Sequence, residues 1–424
     1  MSGQTRREFL HNGMSFVAMG IGMPALFMEA AQANTLGKLA SLGSSPSSTD
    51  KILVLVEFGG GNDGLNTVVP YLDPVYQKLR PKIGVRKQEV IPIDKNLGLH
   101  PRMKPLMELY EKGHLAVVNG VGYPNPNYSH FESMDIWQLA DPAHQMKERV
   151  GWVARYFNED GHLKTNPLSG LTLSGNMPLA FTAEEMAASV YSQGQEDPFT
   201  SSNKGDTEAQ AKLAARRAIY SQGTVANSHL DFIRKVGQHA YTNTTEIRTA
   251  LATYDKKASK ESRYPQYNDF ANSMQSVAKL IIGGLSTRVY YVSVGGFDTH
   301  ANQPYAHGQL LGTIAETLVA FFHDMESQGR MNDVTLMTFS EFGRRAEEND
   351  SNGTDHGTAS MMFVAGGAVK GGVHGEHPSL TDLKDGDLKF TTDFRRVYAN
   401  VLDSWLGADS QKVLGGKYDA LKLI

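Results

Sequence analysis

The stretch Lys51-Ile52-Leu53-Val54-Leu55-Val56-Glu57-Phe58, followed by Gly59-Gly60-Gly61-Asn62-Asp63-Gly64, decides the fold class. Eight residues, nearly all apolar and rich in branched side chains, end abruptly in glycines. A short run of this kind suits a strand buried on both faces, which is the environment of a parallel sheet. The glycines mark the turn that leaves its carboxyl end.

Working outward, further strands are expected at 115–118, 288–294, 334–339 and 361–365, with helices at 101–112, 131–139, 304–325 and 394–406. Strands alternating with helices indicate an α/β domain. Its sheet is expected to be predominantly parallel, flanked by helices and joined by right-handed crossovers. Residues 207–254 differ: they are rich in Ala, Gln, Lys and Arg, with apolar residues at helical spacing, as at Leu230, Ile233 and Val236. They read as a helical insertion, about 205–256, packed outside the sheet. No internal repeat is visible.

The amino-terminal segment reads as an address. Arg6-Arg7 precedes Phe9 and Leu10, a mildly apolar stretch interrupted by Gly20, Gly22 and Pro24 follows, and Ala31-Gln32-Ala33 offers a small-residue cleavage site. That order is expected of a twin-arginine signal peptide over 1–33, read by the translocation machinery rather than used as an anchor. Residues 34–50, rich in Ser, Gly and Pro, read as a linker, and 51–424 as the folded domain. An exported, periplasmic protein is the expectation.

Composition narrows the chemistry. The 424 residues carry a formal net charge of −4 and no basic stripe, so nucleic acid is not an expected partner. No segment after the signal is long and apolar enough to be a stable membrane anchor. Cysteine is absent, which removes disulfides, thiolate ligands and a cysteine nucleophile. Any metal must be held by His, Asp or Glu.

In open parallel sheets ligands bind beyond the carboxyl ends of the strands. Several such ends carry metal-type side chains: Asn62-Asp63 after the first strand, Phe297-Asp298-Thr299-His300 after the strand at 288–294, and Ser340-Glu341-Phe342-Gly343-Arg344 after the strand at 334–339. Gly353-Thr354-Asp355-His356-Gly357 comes shortly before the strand at 361–365. One Asp or His in a loop is more often a turn former or cap than a ligand. Several loops converging on one sheet edge, without thiols, suit Zn²⁺, Mn²⁺ or a harder ion.

Together with Tyr128-Ser129-His130-Phe131, these motifs resemble, in order, those of the DUF1501 family, exported bacterial proteins related to the alkaline phosphatase and sulfatase superfamily. The resemblance spans essentially the whole chain after the signal. It implies an alkaline phosphatase-like fold and a divalent metal ion, zinc or similar, held by Asp63, Asp298, His300, Glu341 and His356. It also implies a nucleophile at Ser129 and a small anionic phosphate or sulfate ester as substrate. The chain departs from the superfamily pattern in two places. Asp298 and His300 are two residues apart where phosphatases commonly show four, and Phe342 stands where a ligating histidine would follow Glu341. These departures favour one metal, or different ligands, over a two-zinc site. They also keep open a second reading, a non-catalytic exported binding or assembly protein that retains the fold.

Each remaining residue has a plain reading beside the functional one. Ser129 precedes a helix, whose free N–H groups favour an anion, and equally fits a simple N-cap. His130 could orient an oxyanion or be a surface histidine. Arg344 and Arg345 could hold an anion, or pair with Glu347, Glu348 or Asp350. The triple glycine could offer N–H groups to an anion, or be a turn. Tyr128 and Trp137 read as packing residues.

Overall fold

The computed structural model describes residues 51–145, 149–160, 168–183, 189–190, 211, 215, 246–254 and 262–424. The expected signal, the linker and most of the helical insertion lie outside the described residues. Of the insertion, 211, 215 and 246–254 are helical, and Ile247, Ala250 and Tyr254 pack into the core.

Among the described residues, nine strands form one sheet. In chain order they are β1 (Ile52–Phe58), β2 (Leu115–Gly122), β3 (Gly170–Thr172), β4 (Ser189–Val190), β5 (Val289–Val294), β6 (Val334–Phe339), β7 (Ser360–Gly366), β8 (Gly372–His374) and β9 (Thr392–Asp393). Their spatial order is β8-β2-β7-β6-β1-β5-β3-β4, with β9 also on β2. The strand β1 lies between β5 and β6 and, as expected of one mostly parallel sheet, is parallel to both. Only β7 runs against its neighbours β2 and β6. The sheet is mixed and mostly parallel.

The pleat of β1 shows why an unbroken apolar run was needed. Ile52, Val54, Val56 and Phe58 point into one core layer, and Leu53 and Leu55 into the other. Helices cover both faces. On the first lie α3 (Asp269–Ile282) and α4 (Gln303–Ser327), contributing Met274, Val277, Leu311 and Ile314. On the second lie α1 (His130–Leu139), α2 (Trp152–Asp160) and α5 (Phe394–Asn400), contributing Trp137, Val153 and Tyr398. Each fully buried Val, Leu, Ile or Phe is worth roughly 1.5–3 kcal/mol, so a charge at Val54 would break the central strand. No helix among the described residues is long and apolar enough to cross a membrane.

Two expected helices are interrupted. Residues 101–112 split into a tight 3₁₀ stretch, Pro101–Leu106, and a short α-helix, Met107–Glu111. Pro105 lacks an N–H and its ring clashes with the preceding turn, which prevents one continuous α-helix. Residues 394–406 begin as α5 and continue as π-helical turns over Val401–Leu406.

The reversed strand positions the site. The carboxyl ends of β1, β2, β5 and β6 share one edge of the sheet. Because β7 is antiparallel, its beginning lies at that same edge. The motif before β7 therefore meets the motifs after the others.

Candidate metal centre

Three imidazoles converge on one carboxylate. His300 Nε2 lies 3.1 Å from Asp298 Oδ1, and His356 Nε2 lies 3.2 Å from the same oxygen. His130 Nε2 is 3.5 Å from Asp298 Oδ2. The two nitrogens of His300 and His356 are 3.0 Å apart. The ligand atoms of His130, Asp298 and His356 all lie within 4.8 Å of one another.

The other nitrogen of each ring is tethered. His130 Nδ1 is 2.8 Å from Glu341 Oε1, which also accepts from the Gly60 N–H at 2.8 Å. His356 Nδ1 is 2.8 Å from the Tyr128 carbonyl oxygen, and His300 Nδ1 is 3.2 Å from Asp355 Oδ1. A backbone carbonyl can only accept, so His356 carries its hydrogen on Nδ1. The carboxylates assign the same tautomer to His130 and His300. Each Nε2 then faces the cluster, with those of His300 and His356 3.0–3.2 Å from each other and from the Asp298 oxygen, a spacing that a metal cation or a proton would bridge. This is the tethering by which metal-ligating histidines are oriented.

The donor set fits a divalent cation. Atoms about 2.0–2.2 Å from a common ion lie roughly 3 Å apart, as His300 Nε2, His356 Nε2 and Asp298 Oδ1 do, while His130 Nε2 stands farther off, 3.5 Å from Asp298 Oδ2. Imidazole and carboxylate donors suit zinc and similar ions. The Asp298 carboxylate is paired with the Arg344 guanidinium, and Asp355 lies in the field of Arg345 as well as of His300.

Arg344 is the buried cation behind the site. Its Nη2 donates to Asp298 Oδ1 at 2.7 Å, and its Nε donates to the Gly61 carbonyl at 2.8 Å. It also donates to the carbonyls of Gly60, Phe297 and Thr354. Burial opposes ionisation of Asp298, but Arg344, helped by His356 and His300, outweighs it and pulls the carboxyl to about 2. Phe342 is fully buried and forms a wall, its ring 4.9 Å from that of His130 and 4.7 Å from that of His356. A Cβ on Gly61 would run into Phe342, and one on Gly60 into the Asp298 backbone; both glycines have positive φ, +77° and +117°. The loops approach each other too closely there for any side chain.

Of the five ligands that the sequence suggests, the structure brings together Asp298, His300 and His356. Glu341 stands behind His130 rather than beside the cation position. Its backbone carbonyl is held by Trp137 Nε1 at 2.8 Å and Ser133 Oγ at 2.5 Å, which aims the side chain at His130. Asp63 is turned inward. It is fully buried and paired at 2.5 Å with Arg80 Nη1, a residue with no local sequence signal, and Gln303 Nε2 donates to the same Oδ2. Burial opposes the Asp63 charge, yet Arg80 holds its carboxyl below the usual range. Asp63 and Glu341 are therefore positioning groups in this geometry.

Ser129 is the N-cap residue of α1, but its hydroxyl makes no capping bond. It is exposed and adjoins His130. The Gly59 and Gly60 N–H groups are consumed by Val294 and Glu341, so the triple glycine serves as a turn there. Arg344 pairs with Asp298 rather than with the acidic residues that follow it. His130 was legible only as a histidine beside the serine; nothing local marks it as a ligand.

Comparison with known proteins adds the family. A family model described as protein of unknown function (DUF1501) matches residues 50–416. The chain belongs to the DUF1501 family. No curated protein matches the sequence. Among solved structures, this DUF1501 chain is similar to the PsFucS1 sulfatase from Pseudoalteromonas sp., at 10% identity and a TM-score of 0.40, covering 94% of this chain and 75% of that one. It is also similar to a protein in the alkaline phosphatase superfamily from Vibrio parahaemolyticus, at 9% identity and a TM-score of 0.33, covering 88% and 72%. A third is the lipoteichoic acid synthase LtaP from Listeria monocytogenes, at 10% identity and a TM-score of 0.34, covering 84% and 80%.

Proposed function

We propose that this DUF1501 chain is an exported, metal-dependent hydrolase of phosphate or sulfate esters. The observation that carries the reading is the convergence of three tethered imidazoles, through Nε2, on Asp298. His130, His300, His356 and Asp298 would hold the ion. When bound, a divalent cation supplies Lewis-acid chemistry, polarising an ester oxygen and offsetting charge that develops on the transferring group.

The chain's own residues set the rest. Glu341, Asp355 and the Tyr128 carbonyl keep the three rings in the ligating tautomer. Arg344 keeps Asp298 ionised. The amino-terminal end of α1, where N–H groups lack helix partners, favours the anionic group of a substrate. Ser129 sits at that end with a hydroxyl free of a capping bond, available to attack the phosphorus or sulfur. Export rests on Arg6-Arg7 and the weakly apolar segment behind them.

The test is elemental analysis of the processed chain purified from its native compartment, followed by hydrolysis assays on aryl phosphate and aryl sulfate with that metal present. One divalent ion per chain, lost in His130→Ala and His356→Ala, together with turnover of either ester, is the expected result. A metal-free chain, or a loaded chain inert on both esters, would leave the binding or assembly role instead. Lysine at both Arg6 and Arg7 should leave the precursor in the cytoplasm.

A further inference from the structure

A second cavity lies apart from the three histidines. Its volume is about 280 Å³, and Asn66, Lys82, Arg86, Glu89, His100 and His307 are among its lining residues. That size is near the lower end for small-ligand pockets.

Lys82, Arg86 and Glu89 are exposed where they line it, and His100 is nine-tenths buried. Among the described residues, neither the Lys82 ammonium nor the Arg86 guanidinium has a salt-bridge or side-chain hydrogen-bond partner. The nearby Glu348 carboxylate is taken by the backbone N–H groups of Lys82 and Ile83, at 2.9 and 2.8 Å. The Glu348 charge lies beside the Lys82 backbone, so the lining cations Lys82 and Arg86 stand with Glu89 in the lining and Glu348 next to it. The tautomers of both imidazoles follow from their contacts. His100 Nδ1 accepts from the Arg102 N–H at 3.2 Å, so its hydrogen is on Nε2. His307 Nε2 bonds Asn62 Oδ1 at 3.0 Å, an acceptor, so its hydrogen is also on Nε2 and is already used. Burial pulls each ring down to about 4, and both are neutral near pH 7. His100 is left with an N–H and no acceptor among the described residues.

We propose that this cavity binds a small oxyanion of the carboxylate or phosphate type, with Lys82 and Arg86 supplying the charge and His100 Nε2–H a directed hydrogen bond. Charge-assisted bonds to oxyanions are the strong ones, and a neutral N–H donor beside two cations adds orientation. The site is separate from the candidate metal centre and does not depend on it. His307 joins the two regions, since it lines the cavity and holds Asn62, the neighbour of Asp63.

The experiment titrates inorganic phosphate and acetate, against chloride at matched ionic strength, into the processed chain and its His130→Ala variant. The thermal midpoint and the ¹⁵N signals of the His100 ring are followed. Saturable binding in both proteins, with the His100 signal moving, is expected, because a ligand bound only by the native state raises the midpoint. The tighter of the two anions then identifies the source. Lys82→Gln with Arg86→Gln should weaken binding about tenfold or more, equivalent to about 1.4 kcal/mol, with the circular dichroism spectrum unchanged. Binding lost in His130→Ala but retained in the double variant would place the anion at the metal centre and overturn the proposal. No saturable effect beyond chloride would mean that the cavity holds water alone.

Discussion

Gln303 donates through Nε2 to Asp63 Oδ2 and accepts through Oε1 from two threonine hydroxyls, Thr299 at 3.0 Å and Thr354 at 2.6 Å. Thr299 separates Asp298 from His300, and Thr354 precedes Asp355 and His356. One buried amide thus ties both histidine loops to the Asp63–Arg80 ion pair. Gln303→Leu would leave two buried threonine hydroxyls without their acceptor and take from Asp63 Oδ2 one of its two donors, Arg80 remaining. It should cost on the order of 1–3 kcal/mol, measured by urea unfolding, and weaken cation binding. Unchanged stability would show that the loops are held elsewhere.

Glu341→Gln keeps the shape of the side chain and removes the charge behind His130. Partners of this kind typically contribute 10–100-fold to metal affinity. A drop of about that size is expected for zinc by calorimetry, with a native unfolding midpoint. Equal zinc affinity in the two proteins would remove Glu341 from the positioning role.

Acid should destabilise the chain before its carboxylates titrate. His307 is buried and neutral, held near 4 in the folded state against 6.5 for an ordinary imidazole. Between those values the unfolded chain binds the extra proton, so stability rises with pH across the window and falls as pH drops from about 6.5 towards 4. The contribution is of the order of 2–3 kcal/mol at the acid end. His100 acts in the same direction over the same window. Unfolding free energy measured from pH 7 to 4 should show this slope, reduced in His307→Gln. A slope identical in wild type and variant would contradict it.

Ser129→Ala separates structure from chemistry. The hydroxyl makes no capping bond, so removing it should change stability by no more than about 0.5 kcal/mol. As the attacking group, its loss should lower ester hydrolysis by orders of magnitude while the metal content is kept. A variant with full activity would show that a water attacks instead.

The sheet was legible because its central strands are apolar on both faces. A pattern such as 52–58 has few other homes. The reversal of β7 was not legible, since an apolar run carries no direction; only its pairing with β2 and β6 reveals it. The site divided along a similar line. Asp298, His300 and His356 announced themselves at predicted strand ends. Gln303 did not, because its partner Asp63 lies 240 residues away, and Arg80 did not, because an arginine 17 residues after Asp63 carries no motif that marks the pairing. Asp63 looked like a ligand for the same reason that it became a buried anchor. Both roles place a carboxylate at the end of β1, and the sequence does not show which cation, metal or guanidinium, will meet it.

The candidate cation position would draw its donors from α1, from the loop after β5 and from the loop before β7. Those segments meet only when the sheet is fully assembled. An extended chain has no such position, so an ion cannot be carried across a membrane by a chain threaded in that state. On the proposed reading of an exported metalloprotein, where the cell loads the ion becomes a question about transport: loading in the cytoplasm would oblige the molecule to cross as a finished body, whereas loading outside would leave a thread-wise crossing equally open.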